Sequence, residues 1–109
     1  MNRAEILNTA LAAVEQRGRS YGKPENNFAR IARRWNLHLL NRHGVEPKLD
    51  AVDVAVMMAD MKLARLEETP THDDSWVDLA GYAACGAEVS AAPQLEQVMP
   101  IPEGMKPTG

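Results

Sequence analysis

The chain has 109 residues, 45% hydrophobic and 25% charged, with a formal net charge of -3, the make-up of one ordinary globular domain rather than a disordered or collagen-like chain. Its single cysteine, Cys85, excludes an intramolecular disulfide framework and a cysteine-based zinc knuckle. The net charge conceals a split: residues 1–48 carry nine Lys/Arg against four Asp/Glu, and residues 49–109 carry three against eleven, which argues against a dedicated nucleic-acid binder but leaves local phosphate contacts open.

The first residues carry charges throughout and lack the apolar core of a signal peptide. No apolar run approaches the ~20 residues that span a bilayer. The expectation is therefore a soluble cytoplasmic protein with no membrane contact. Pro24, Pro47, Pro70 and Pro93 fall 23 residues apart, and proline is tolerated at helix ends but not inside. This spacing predicts four helices of similar length joined by short turns. No stretch alternates with period two between hairpin turns, so the fold class is an all-α bundle in residues 1–92. Residues 93–109 hold four prolines and two glycines and read as an irregular tail.

The first helix is predicted over residues 3–16, with Leu7, Leu11 and Val14 on one stripe and Gly18 as its stop. The second is predicted to start at Asn26 or Asn27, both good caps, to present Phe28, Ile31, Trp35 and Leu39, and to end at Arg42-His43-Gly44. The third is capped by Asp50 and runs to about residue 68. Val52, Val56, Ala59, Leu63 and Leu66 form one apolar arc on it, and Val54, Met57, Met58 and Met61 another. Such a helix is central, or shared between a core and an oligomer interface. Asp53 and Asp60 lie in the strip between the arcs, where partly desolvated carboxylates require a partner. The fourth helix follows the cap-rich stretch Thr71–Ser75, with Asp74 as the favoured cap, and ends before Pro93. Its small residues, Gly81 and Gly86 among them, fit close packing against a neighbour. Asp78, Tyr82, Cys85 and Val89 share one face.

Three groups of residues bear on chemistry. Asp53, Asp60 and Asp78 either hold a hard cation such as Mg²⁺, which takes carboxylate oxygens at ~2.1 Å, or pair with Lys62, Arg65 or an arginine of the second helix. The stretch GRSYGKPENNF (residues 18–28) is either a glycine–asparagine turn or an anion site at a helix start, with Tyr21 placed to stack on a base and Lys23 to reach a phosphate. Arg30, Arg33, Arg34 and Arg42 form a solvated basic face or a partner for the acidic half, with Trp35 in the core. His38, His43 and His72 show no ligand spacing.

The runs YGKPENNFARIARRW, DVAVMMADMKLARL and DDSWVDLAGYAA resemble a family of small all-helical phage and prophage proteins of unassigned function, over roughly residues 15–90. More distantly, the order is similar to nucleotide-modification-associated helical domains and to MazG-like nucleoside triphosphate pyrophosphohydrolases, which hold Mg²⁺ with acids on two helices. Asp50-x-x-Asp53 and Asp74-x-x-x-Asp78 stand nearest to the glutamate pairs of the latter, with shorter side chains and one different spacing. The resemblance implies a phage-type protein of an infected or lysogenic bacterial host that binds a nucleotide or related phosphorylated ligand. Tyr21, Lys23, Asn27 and Tyr82 would contact the ligand, Lys62 and Arg65 its phosphates, and Asp53, Asp60 and Asp78 a Mg²⁺ ion. A reaction, where there is one, would be attack of water on a phosphoanhydride. The chain is expected to form a homo-oligomer through the methionine-rich or small-residue faces. The alternative is a non-catalytic interaction protein that inhibits a host defence system or another host partner.

Overall fold

The computed structural model describes residues 1–92 and 100–107. Four helices make up the bundle: α1 (Arg3–Tyr21), α2 (Pro24–His43), α3 (Ala51–Glu68) and α4 (Asp73–Ser90), followed by a 3₁₀ turn over Glu103–Met105. There is no strand among the described residues, as the missing period-two pattern implies. The irregular tail expected over residues 93–109 falls largely on residues 93–99 and 108–109, which lie outside the described residues.

Two boundaries differ from the expectation, and both lie at one junction. Gly18 does not stop α1: the helix passes through it to Tyr21, capped at its start by Asn2, which accepts from the Glu5 N–H at 2.9 Å. The break comes at Gly22, whose φ of 79° is open to glycine and costly for other residues. Helix α2 then starts at Pro24, not at Asn26 or Asn27. Proline is pre-set for the first helical position, and the N–H groups of Asn26 and Asn27 both donate to the Lys23 carbonyl at 3.1 Å. Residues 18–28 are thus a tight helix–turn–helix corner rather than a glycine loop. The far end of α2 falls where expected, with Gly44 left-handed at φ 68° and donating to the Leu40 carbonyl.

Helix α3 begins with a reciprocal cap: the Asp53 N–H donates to the Asp50 carboxylate at 3.0 Å, and the Asp50 N–H to that of Asp53 at 2.9 Å. At α4 the cap is His72, whose Nδ1 accepts from the Ser75 N–H at 3.2 Å. Asp74, the expected cap, is an exposed first-turn residue instead, where its charge suits the helix dipole.

The core is made by Phe28, Ala32, Ala51, Val54, Ala55 and Val89, with Trp35, Met58, Tyr82 and Cys85 packed against it. The most extensive packing joins α3 to α4; α1 leans on α4 and α2 on α3, while α1 and α2 touch little. The small residues of α4 explain this arrangement. A Cβ on Gly86 would stand 3.1 Å from the Ala55 Cβ, and one on Gly81 3.6 Å from a Val14 methyl. The small-residue face is therefore occupied within the bundle. Helix α3 turns Ala51, Val54, Ala55 and Leu66 inward and leaves Val56, Met57, Met61 and Leu63 exposed. Each of its two apolar arcs is thus half covered.

The connection from α2 to α3 hangs on Asn36. Its buried amide donates to the Leu49 carbonyl at 3.0 Å and accepts from the Leu49 N–H at 3.1 Å. An Asn36→Ala change leaves both backbone groups without these partners and is expected to cost about 2 kcal/mol. Urea unfolding of the two proteins checks this, with a shifted midpoint at unchanged slope as the expected outcome.

Candidate functional site

Because α1 and α2 diverge from the Gly22 corner, a cleft of about 510 Å³ opens between them, floored by α4 and the tip of Met58 from α3. That volume lies in the range of small-molecule sites, ~300–1,000 Å³. Val14, Arg17, Gly18 and Tyr21 form the α1 wall; Lys23, Asn27, Phe28 and Ile31 form the α2 wall; Tyr82, Cys85 and Glu88 come from α4. Each wall follows helical spacing: Arg17 and Tyr21 are one turn apart, as are Lys23 and Asn27, and Tyr82, Cys85 and Glu88 follow one another at three-residue steps.

The interior is an aromatic and aliphatic surface with charges at defined places. The Phe28 and Tyr82 rings meet at 6.4 Å between centroids with a 42° tilt, within the distance range of aromatic pairs. The Arg17 guanidinium lies over the Tyr82 ring, 5.8 Å from its centroid, within cation–π range. Arg17 also reaches Asp78 at 3.5 Å, while Lys62 holds the other Asp78 oxygen at 3.0 Å. Lys23 has no ion pair among the described residues, and the Tyr21 side chain is exposed. Burial pushes the Cys85 thiol above the usual range; Glu88 adds to this and Arg17 opposes it.

Four of the residues singled out in the sequence, Tyr21, Lys23, Asn27 and Tyr82, line this one cleft. Lys62 and Arg65 do not. Helix α3 runs antiparallel to α4, so only Met58 reaches the cleft. Lys62 and Arg65, further along α3, lie beside Asp78 and His72, with Arg65 Nη2 3.4 Å from His72 Nε2. Neither lines the cleft, so neither presents a phosphate-binding group to it.

The three aspartates also occupy separate settings. Asp53 is committed to the α3 cap, Asp78 to Lys62 and Arg17, and Asp60 is exposed on the outer face of α3. Among the described residues no group of three or more His, Cys, Asp or Glu side chains is placed to hold a metal ion. The donor set expected for Mg²⁺ is not assembled, because pairing satisfies two of the carboxylates and the strip holding the third faces solvent. The partner of Asp78 comes from α1 and α3; no arginine of α2 forms an ion pair among the described residues.

Arg17, Phe28 and Glu88 are cleft residues that the sequence reading passed over as ligand contacts. Arg17 stands one turn before Tyr21, and Glu88 one turn after Cys85, so helical spacing alone places each beside a residue already singled out. No helix among the described residues is long and apolar enough to cross a membrane.

Comparison with known proteins places this bundle among phage sequences. A family model described as "Domain of unknown function (DUF6378)" matches residues 5–90. The Gene 55 protein of Mycobacterium phage D29 is 34% identical over 97 residues, covering 84% of this chain and 60% of the relative. The Gene 55 protein of Mycobacterium phage L5 is 43% identical over 79 residues, covering 72% of this chain and 47% of the relative. The chain thus spans about half to three-fifths of the length of these relatives. No solved structure matches.

Proposed function

The chain belongs to the DUF6378 family, and we propose that its cleft binds a nucleotide or a closely related phosphorylated aromatic ligand. One observation carries the reading: Tyr21, Phe28 and Tyr82 share a cleft of nucleotide size with Arg17 and Lys23. A base has a π-face for the rings, and such stacking contributes about 1–3 kcal/mol per base. A phosphate has charge for the two cations. Asn27 adds an amide that donates and accepts. Val14, Ile31 and Met58 add apolar surface to the walls.

The reading is one of binding. With Asp53 in a cap and Asp78 between two cations, the donor set does not fit a Mg²⁺ ion of the MazG-like kind, and no hydrolytic step follows from these residues. A calorimetric titration with purine and pyrimidine nucleoside phosphates, run in the presence of EDTA, tests the proposal; the absence of heat with all of them contradicts it. Cys85 supplies an internal probe. With the thiol pushed up by burial, less thiolate is present at a given pH, so iodoacetamide at pH 8 is expected to modify it more slowly than free cysteine. A bound nucleotide is expected to slow it further, followed by mass spectrometry.

A second reading, a non-catalytic protein that engages a host partner, draws on the apolar side chains left exposed: Leu7 and Leu11 on α1, and Val56, Met57, Met61 and Leu63 on α3. Capture of a host protein that is lost on Val56→Glu, Leu63→Glu substitution, with no nucleotide bound by the wild type, favours this reading over the first.

A further inference from the structure

We infer that the base accepted by the cleft is guanine, selected by the Glu88 carboxylate; this rests on the nucleotide reading of the same cleft.

Glu88 is the single carboxylate residue lining the cleft among the described residues, and its side chain has no hydrogen bond or ion pair among them. The carboxylates nearby are otherwise taken, since Asp78 is shared between Arg17 and Lys62. Along α4, Tyr82, Cys85 and Glu88 follow at three-residue steps and all line the cleft, so Glu88, turned about 120° from Tyr82 around the helix, stands about 9 Å further along its axis, at 1.5 Å per residue. Arg17 lies over Tyr82. The α4 floor therefore runs from a cation at one end to an unpaired anion at the other, with aromatic surface along it. A ligand that matches this order is anionic at one end and offers N–H donors at the other.

The bases differ in what they offer a carboxylate. Guanine presents two neighbouring donors, N1–H and the N2 amino group, which match the two oxygens of one carboxylate. Adenine and cytosine each present one amino group beside a ring nitrogen that accepts, and that lone pair faces the second oxygen unfavourably. Uracil and thymine present a single imide N–H between two carbonyl oxygens. Base edges are read by this donor and acceptor order, and a carboxylate is acceptor-only when ionised. Glu88 also acts electrically on the cleft floor, being one cause of the raised Cys85 thiol.

Calorimetric titration of the full chain with GMP, IMP, AMP and UMP, repeated on E88Q, tests the inference. Glu88 is exposed, and the change is isosteric, so thermal melts of the two proteins are expected to coincide. GMP is expected to bind about tenfold or more tightly than IMP, which lacks the 2-amino group, and than AMP and UMP. In E88Q the preference for GMP is expected to vanish, while AMP affinity holds or rises. Equal binding of all four, a preference for another base, or a GMP preference that survives E88Q overturns the guanine assignment and leaves nucleotide binding standing. Binding of none of the four overturns both.

Discussion

Replacing Gly86 with valine is expected to lower the unfolding free energy by about 3 kcal/mol, the upper part of the range for overpacking a tight contact. The Cβ alone would stand 3.1 Å from the Ala55 Cβ, closer than side-chain carbons normally approach. Ala55 is itself buried in the core beside Val54 and Val89, so it has nowhere to retreat. Two further methyls must push α3 from α4, the most extensive helix pair in the molecule. Gly81 supplies the contrast. A Cβ there meets a Val14 methyl at 3.6 Å, an ordinary contact, and a helical glycine costs about 1 kcal/mol against alanine. Gly81→Ala is expected to raise stability by up to about 1 kcal/mol, and denaturant unfolding of both variants measures the two signs together.

The largest effect on binding is expected from the two tyrosines. Tyr82→Leu keeps much of the apolar volume against the core but removes the ring that meets Phe28 and carries the Arg17 guanidinium. Loss of stacking and of the cation–π contact is expected to weaken nucleotide binding ten- to a hundredfold. Tyr21→Ala changes a side chain that is 64% exposed, so it is expected to weaken binding about tenfold with the melting temperature unmoved. Calorimetry on each variant reads the affinity, and a thermal melt separates a binding defect from a folding one. Unchanged affinity in both variants contradicts aromatic stacking as the basis of recognition.

Much of the architecture is legible in the sequence. The proline spacing and the apolar stripes marked four helices, Asp50 announced the start of α3, and Gly44 the end of α2. The α1–α2 corner was misplaced because two glycines stood four residues apart, Gly18 and Gly22. A glycine inside a helix costs only about 1 kcal/mol and does not by itself end one. Only Gly22 has the positive φ that makes glycine necessary. Asp53 misled for a related reason. An acid three residues after a cap is as well explained by a reciprocal cap as by a metal ligand, and in this fold Asp53 returns the hydrogen bond to the Asp50 cap.

The cleft was legible in part. Tyr21, Lys23 and Asn27 gather at one corner of the chain, so their neighbourhood follows from sequence proximity; Tyr82 follows from its helical face. What sequence could not supply is which inter-helical gap stays open. That depends on α1 leaning on α4 through Gly81 while diverging from α2, a consequence of packing between distant segments. The same packing turned Lys62 away from the expected ligand and onto Asp78.

The central claim is that the cleft between α1 and α2 is the ligand site, and backbone ¹H–¹⁵N spectra of the labelled chain titrated with GMP test it most directly. Shifts concentrated at residues 14–31 and 82–88, with the exposed face of α3 from Val56 to Leu63 unmoved, are the predicted result. Shifts confined to that α3 face, or a spectrum unchanged at millimolar GMP, would contradict it.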